Sequence, residues 1–255
     1  MSYIAERHPF VSFLNPRDKT YAKSFALKHA LVFMEPREIR KSKTHKLVIW
    51  ANPKELQLQD LSNKTSKPFY LDFLKFKKIF SENTLLRKCF SSKDLGSTVI
   101  DLTAGFCIDA FSMAVMGFEV MAMEKISWLY QITEQGLERA RADKRLNSFA
   151  NKISLEHKNS LILAKGIKKA EIAYIDPMFQ SNDDSRAKKE IQFLRNLEIQ
   201  DEAIEVYIDF CLKQNFKKII VKSGLNSNKE KSLPLKPSNI IRGRALKYLI
   251  FQIPG

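Results

Sequence analysis

From residue 97 onward the chain alternates short apolar runs with longer amphipathic stretches, and that rhythm restricts it to folds built on a parallel sheet. A parallel strand has both faces covered by crossover helices, so it reads as a continuous apolar run rather than a two-residue alternation. TVIDL (98–102), FEVMAM (118–123), KISLEH (152–157), EIAYID (171–176) and KKIIVKS (217–223) predict five such strands. Helices are expected near 107–116, 126–146, 160–168 and 186–213, the last in two pieces. Beyond the polar loop SGLNSNKEKSLPLKPS, the segment NIIRGRALKYLIFQI has two apolar arms about Arg242-Gly243 and reads as a closing antiparallel hairpin. The expected core is therefore a mostly parallel, seven-stranded α/β sheet over residues 93–255.

Residues 1–92 read as a small α+β unit. Its first 45 residues show no sustained period and are expected to be irregular or partly helical. KLVIW (46–50) and ELQLQD (55–60) predict two strands joined by a turn at Asn52-Pro53, and PFYLDF (68–73) a third. Leu74, Phe76, Ile79, Phe80, Leu85, Leu86 and Phe90 are spaced as in a helix over 74–90.

A formal net charge of +15 points to a polyanionic partner, nucleic acid first, with a lysine-rich composition as the plainer alternative. The basic clusters Arg37 to Lys46, Lys75 to Lys78 and Arg186 to Lys189 suit phosphate contact or a solvated face. Phe76 and Phe80 interleave with the second cluster, as core residues or as stacking platforms. Three cysteines, Cys89, Cys107 and Cys211, match neither a disulfide framework nor a zinc site, so a reducing compartment and no metal are expected. MSYIAERHPF has no secretory apolar core, and the apolar stretch 110–123 is short of a membrane span and carries Glu119. A soluble, cytoplasmic protein without a membrane partner is the expectation.

In an open α/β sheet, ligands bind where strand C-termini meet the following helices. Four such ends are polar here. VIDLTAGFCIDAF runs a strand into Asp101, turns at Thr103-Ala104-Gly105 and enters a helix; Gly105 lets the backbone approach a ligand closely. The second strand ends at Glu124, where a carboxylate can accept both hydroxyls of a ribose. Asn159-Ser160 follows the third, and asparagine suits an adenine edge. The fourth ends in Asp176-Pro177-Met178-Phe179. Taken singly, each reads equally as a turn or a helix cap. Together at one sheet edge they describe a site for an adenosine-containing cofactor. The glycine pattern G-F-C-I-D-A has Cys107 and Ala110 where a dinucleotide fold needs glycines, which disfavours a pyrophosphate and leaves S-adenosylmethionine (SAM), which has no phosphate.

Asp176 then has a chemical reading. The exocyclic amine of a base delocalises its lone pair into the ring, and acceptors on its hydrogens localise that pair toward a methyl donor. The Asp176 carboxylate and a backbone carbonyl at Asp176 or Pro177 can supply them, proline stiffening the turn, while Phe179 offers a stacking surface for the base. The strand inventory is that of a class I SAM-dependent methyltransferase, a Rossmann-like fold.

The succession VIDLTAGFCIDAF, MAMEKIS, EHKNSL and AYIDPMFQSNDDSRAKKEIQFL resembles the RsmJ-type methyltransferases, SAM-dependent enzymes acting on N2 of a guanosine in 16S ribosomal RNA. LVIWANPKELQLQDL and FYLDFL extend the likeness over roughly 46–253. The resemblance implies cofactor contacts at Ile108 and Asp109, at Glu124 and Lys125, at Asn159 and Ser160, and at Asp176. It implies 16S RNA or the small ribosomal subunit as partner. The family usually has glycine and arginine where Cys107 and Ile108 stand, so only backbone contact is expected there. KFKKIFSENTLLRK lacks the family's glycines, and Gln180 stands where a proline is common. Methylation of adenine N6 or of a protein glutamine, and a non-catalytic RNA-binding role, are the alternatives that the residues leave open.

Overall fold

The computed structural model describes residues 8–41, 47–62, 65–162, 170–177, 202–214, 216–225, 227 and 233–253. The chain divides into two compact units, the first extending to Leu71 and the second built from Asp72 onward.

In the first unit, β1 (Phe10–Ser12) runs parallel to β2 (Leu47–Ala51), and β2 pairs antiparallel with β3 (Leu56–Asp60). The Asn52 side chain closes the turn between β2 and β3 by accepting from the backbone N–H groups of Lys54 and Glu55, both at 2.9 Å. That is the short-range hydrogen bonding that makes asparagine a turn former. Every residue of β2 is buried, and Val48 and Trp50 meet Ile39 of α2 (Pro36–Lys41) in a small core. Helix α1 (Lys19–Lys28) turns Ala22, Phe25 and Ala26 inward. The region expected to be irregular or partly helical thus contains two helices and, beyond that expectation, a strand. The strand expected at 68–73 reduces to one bridge, in which Phe69 exchanges backbone bonds with Leu58 at 2.7 and 2.8 Å.

In the second unit the boundary differs from the expected 92: residues 72–92 pack with the large sheet. They form no helix over 74–90 but a chain of 3₁₀ turns at Phe73–Lys75, Lys77–Phe80, Arg87–Cys89 and Ser92–Asp94. The cause is visible in the burial: Phe73, Phe76 and Ile79 face inward at intervals of three, the 3₁₀ repeat, while Lys75, Lys77 and Lys78 are exposed. Phe73 stacks on Phe111 with ring centroids 4.4 Å apart, and Phe90 lies 4.5 Å from Phe118.

The sheet has seven strands in the order β6-β5-β4-β7-β8-β10-β9. β4 (Thr98–Asp101), β5 (Glu119–Glu124), β6 (Ile153–His157), β7 (Ile172–Ile175) and β8 (Lys218–Gly224) are parallel, at the five expected places. β9 (Asn239–Arg242) and β10 (Leu246–Gln252) form the antiparallel hairpin, β10 pairing with β8. The crossover helices are α3 (Ile108–Val115), α4 (Ser127–Ala142), the short α5 (Asn147–Ala150) and α6 (Ile204–Leu212). The helix expected over 126–146 stops at Ala142, where Asp143 leaves the helical conformation and its carboxylate binds the Arg145 guanidinium. Over 160–168 the described part is a 3₁₀ turn, Ser160–Ile162, and of the 186–213 pair α6 is the piece within the described residues. Ile100, Ile175, Ile208, Val221 and Phe251 meet in the main core.

Candidate active site

Two backbone bonds stitch the segment leaving β4 to its neighbours and a third closes its own turn. Leu102 N–H donates to Tyr174 O at 3.0 Å, Ala104 N–H to Met123 O at 2.9 Å, and Cys107 N–H to Ala104 O at 2.7 Å. Gly105 has a φ of +52°, a left-handed conformation that glycine adopts without strain. Cys107, the residue before α3, is also left-handed at φ +55°, and its side chain is fully buried. A glycine there is what that conformation favours, which gives a physical reason for the glycine usual in the resembling family.

Glu124 ends β5 and is 5 % exposed. Its Oε2 accepts from Gly105 N–H at 3.0 Å and its Oε1 from Ile126 N–H at 2.7 Å. On the other side of the turn, the buried Thr133 hydroxyl of α4 donates to Gly105 O at 2.8 Å. The glycine is thereby held between a carboxylate and a hydroxyl.

A small cleft opens at this edge. Of the expected residues Gly105, Glu124, Lys125 and Ser160 line it, joined by Thr103, Lys158 and Tyr207. Ser160 is 4 % exposed and donates its hydroxyl to Leu102 O at 2.8 Å, tying the β6 exit to the β4 exit. Asn159 uses Oδ1 to accept from Leu161 N–H at 3.0 Å, the capping role that competed with the adenine reading. Asp101 lies behind the turn, 2 % exposed, accepting from Thr103 N–H at 3.0 Å. Burial pushes its carboxyl up to about 8, against the lowering effect of that hydrogen bond, so Asp101 is largely protonated at neutral pH.

Asp109 and Asp176 assemble a second cluster beside the cleft. The Thr103 hydroxyl that borders the cleft accepts from Asp176 N–H at 2.7 Å, which fixes the β7 exit against the β4 exit. Lys222 of β8 places its ammonium 2.7 Å from Asp109 Oδ2 and 2.6 Å from Asp176 Oδ2. The Tyr174 hydroxyl donates to the same Asp109 oxygen at 2.7 Å. Burial raises both carboxyls, but at Asp109 the Lys222 charge together with hydrogen bonds from Lys222, Tyr174 and Asp176 outweighs it, and that carboxyl is held below the usual carboxylate range. Asp176 is pushed up to about 6 by burial, with Asp109 adding to the rise and Lys222 opposing it. Burial works against the Lys222 charge too, yet the two carboxylates hold its pKa well above the ordinary lysine value. Ile108 opens α3, and Pro177 is buried directly after Asp176. Phe179 lies outside the described residues. Lys222 is the site residue that the sequence reading missed; a lone lysine in an apolar strand carries no local mark of an inward-facing partner.

The donor set fits an adenosine-type cofactor: a carboxylate ending the second parallel strand, a glycine turn bonded to it 19 residues earlier, and a cleft bounded by both. Among the described residues no His, Cys, Asp and Glu cluster is arranged to hold a metal. Also among them, no helix is long and apolar enough to cross a membrane.

Sheet order and strand-end chemistry define a class I SAM-dependent methyltransferase. The chain belongs to the SAM-dependent methyltransferase family SAM_MT, whose profile matches residues 33–253. Among curated proteins it is 29% identical over 185 residues to ribosomal RNA small subunit methyltransferase J of Coxiella burnetii (strain Dugway), covering 69% of this chain and 72% of the relative. The protein of the same name in Francisella tularensis subsp. novicida is 30% identical over 165 residues, 61% of this chain and 66% of the relative. The solved structure of a SAM-dependent methyltransferase from Neisseria gonorrhoeae superposes with a TM-score of 0.66 at 17% identity, over 96% of each chain, and shows the same fold. The protein is accordingly a methyltransferase with SAM as its cofactor.

Proposed function

We propose that the protein methylates the exocyclic N2 of a guanosine in 16S ribosomal RNA, in the cytoplasm, with naked RNA or the small ribosomal subunit as partner. The observation that carries this reading is Asp176: a carboxylate beside Pro177, bonded through its backbone to a residue lining the cofactor cleft. The relatives named ribosomal RNA small subunit methyltransferase J support the choice of acceptor.

SAM supplies an electrophilic methyl group when bound, held through its ribose by Glu124 and against the Gly105 turn. Ile108, Asp109, Lys125, Asn159 and Ser160 border the same strand ends and complete the proposed set, with Asp101 supporting the turn from behind. At neutral pH, above its value of about 6, Asp176 is ionised and accepts a hydrogen bond from the base amine. That bond localises the nitrogen lone pair and orients it; alignment of nitrogen, methyl and leaving sulfur then accounts for most of the rate. Pro177 has no N–H and a fixed φ, which stiffens the exit from β7 where the amine is received. Phe179 is proposed as the stacking surface for the base.

The test is methyl incorporation from labelled SAM into small subunits and 16S RNA, mapped to the nucleotide. The unmodified protein is expected to label a guanosine N2, and Asp176→Ala to lose at least 100-fold in rate while still binding SAM. Equal labelling by both proteins, or labelling confined to adenine N6 or to protein glutamine, overturns the reading.

A further inference from the structure

The Asp109–Lys222–Asp176 cluster contains more charge than a hydrogen-bonding acceptor needs. Three elements contribute: α3 brings Asp109, the exit of β7 brings Asp176, and β8 brings Lys222, whose ammonium touches both carboxylates within 2.7 Å. All three side chains are partly accessible, between 22% and 33% exposed, and the Asp176 backbone is bonded to Thr103, which lines the cleft. We propose that Lys222 is a positioning residue for methyl transfer: its ammonium clamps Asp176 against Asp109 and keeps the Asp176 carboxylate ionised and aimed at the cleft mouth. The proposal rests on the role given to Asp176 above.

The groups facing this cluster determine what the clamp does. From β4 comes Asp101, buried behind the turn and largely neutral near pH 7. From β7 comes the fully buried Tyr174, whose hydroxyl binds Asp109, and from β10 the buried Tyr248; burial holds both phenols protonated. Asp109 is held low and stays anionic. That leaves Asp176 as the member of the cluster that titrates near neutrality, with one anion and one cation as its charged neighbours. An opposite charge within bonding distance favours a carboxylate and a like charge disfavours it, each by one to three pH units in partly buried sites. Removing Lys222 leaves the anion Asp109 alone beside Asp176, so protonation moves to higher pH. Removing the Asp109 charge leaves Lys222 wholly to Asp176, so protonation moves to lower pH. A residue that merely packs the strand end would not move the two variants in opposite directions.

Two measurements on the full-length protein test this. The first follows the Asp176 carboxyl carbon by NMR against pH in the wild type, Lys222→Met, Lys222→Arg and Asp109→Asn, and needs no substrate. The midpoint is expected to rise by about one unit or more in Lys222→Met, to stay near the wild type in Lys222→Arg, and to fall in Asp109→Asn. The second is the single-turnover methylation rate at saturating SAM against pH, whose acid limb should move with each midpoint while SAM affinity by calorimetry changes less than threefold in the two Lys222 variants. If Lys222→Met does not fold, Asp109→Asn and Lys222→Arg carry the test. An unmoved midpoint, or shifts of the same sign in Lys222→Met and Asp109→Asn, overturns the clamp. Full activity of Asp176→Ala would instead overturn the acceptor reading, and the NMR result would stand apart from it.

Discussion

Glu124 holds the backbone N–H groups of Gly105 and Ile126 with one carboxylate, and the proposal gives the same carboxylate the ribose of the cofactor. Hydrogen bonds to a charged acceptor contribute about 1.5–3 kcal/mol each, so losing both ribose bonds should weaken SAM binding by at least 100-fold. Calorimetry on Glu124→Ala checks this, with Glu124→Asp, which keeps the charge on a shorter arm, expected to fall between the two. Asp101 makes a different prediction because its role is protonated. A carboxyl whose folded-state value lies near 8, above the ordinary 3.8, binds its proton more tightly in the folded chain. That contribution is complete below the ordinary value and is lost as pH rises toward 8. Asp101→Asn mimics the neutral carboxyl without titrating. From pH 7 to 8, above most of the range in which Asp176 changes charge, the urea midpoint of the wild type should fall while that of Asp101→Asn falls less. Identical slopes would show that Asp101 is ionised in the fold.

At the scale of elements, the 3₁₀ segment after Asp72 is fastened to the sheet at the edge opposite the site. Lys218, the first residue of β8 and 3 % exposed, donates to Asp94 Oδ2 at 2.5 Å and to Cys89 O at 3.2 Å. Breaking a buried pair by removing one partner costs about 3–5 kcal/mol, so Lys218→Met should lower the unfolding midpoint sharply and leave SAM affinity nearly unchanged. Denaturation and calorimetry on the same variant separate the two effects. This segment also shows where sequence patterns stop being informative. The five parallel strands were legible because burial on both faces leaves uninterrupted apolar runs. Phe73, Phe76 and Ile79 satisfy a helical template as well as a 3₁₀ one, and only their contacts with the sheet unit decide between the two. β1 escaped notice because three residues, Phe10–Ser12, give no period, and their partner strand begins at Leu47. In the site, strand-end punctuation exposed Glu124 and Asp176, whereas Lys222 acquires its meaning from partners 46 and 113 residues away in the chain.

For the whole molecule, a net charge of +15 must act through salt-dependent association if the partner is ribosomal RNA. Lys75, Lys77, Lys78, Arg87 and Lys88 stand exposed along one stretch whose apolar residues Phe73, Phe76, Ile79 and Cys89 face the core. Phe76 is thus a core residue, whereas Phe80 is exposed, and this stretch presents that ring to solvent together with positive charge. Each phosphate neutralised releases counterions and adds roughly 0.7–0.9 to the slope of log affinity against log salt. Replacing Lys77 and Lys78 together by alanine should therefore reduce that slope by about 1.5, weaken binding evenly across RNA sequences, and leave SAM affinity untouched. Fluorescence anisotropy with a labelled 16S fragment between 50 and 200 mM salt reads the slope directly. An unchanged slope would assign these lysines to a solvated face and move the RNA contact to other basic residues; a lost slope with lost SAM binding would mean the substitutions had damaged the sheet unit itself.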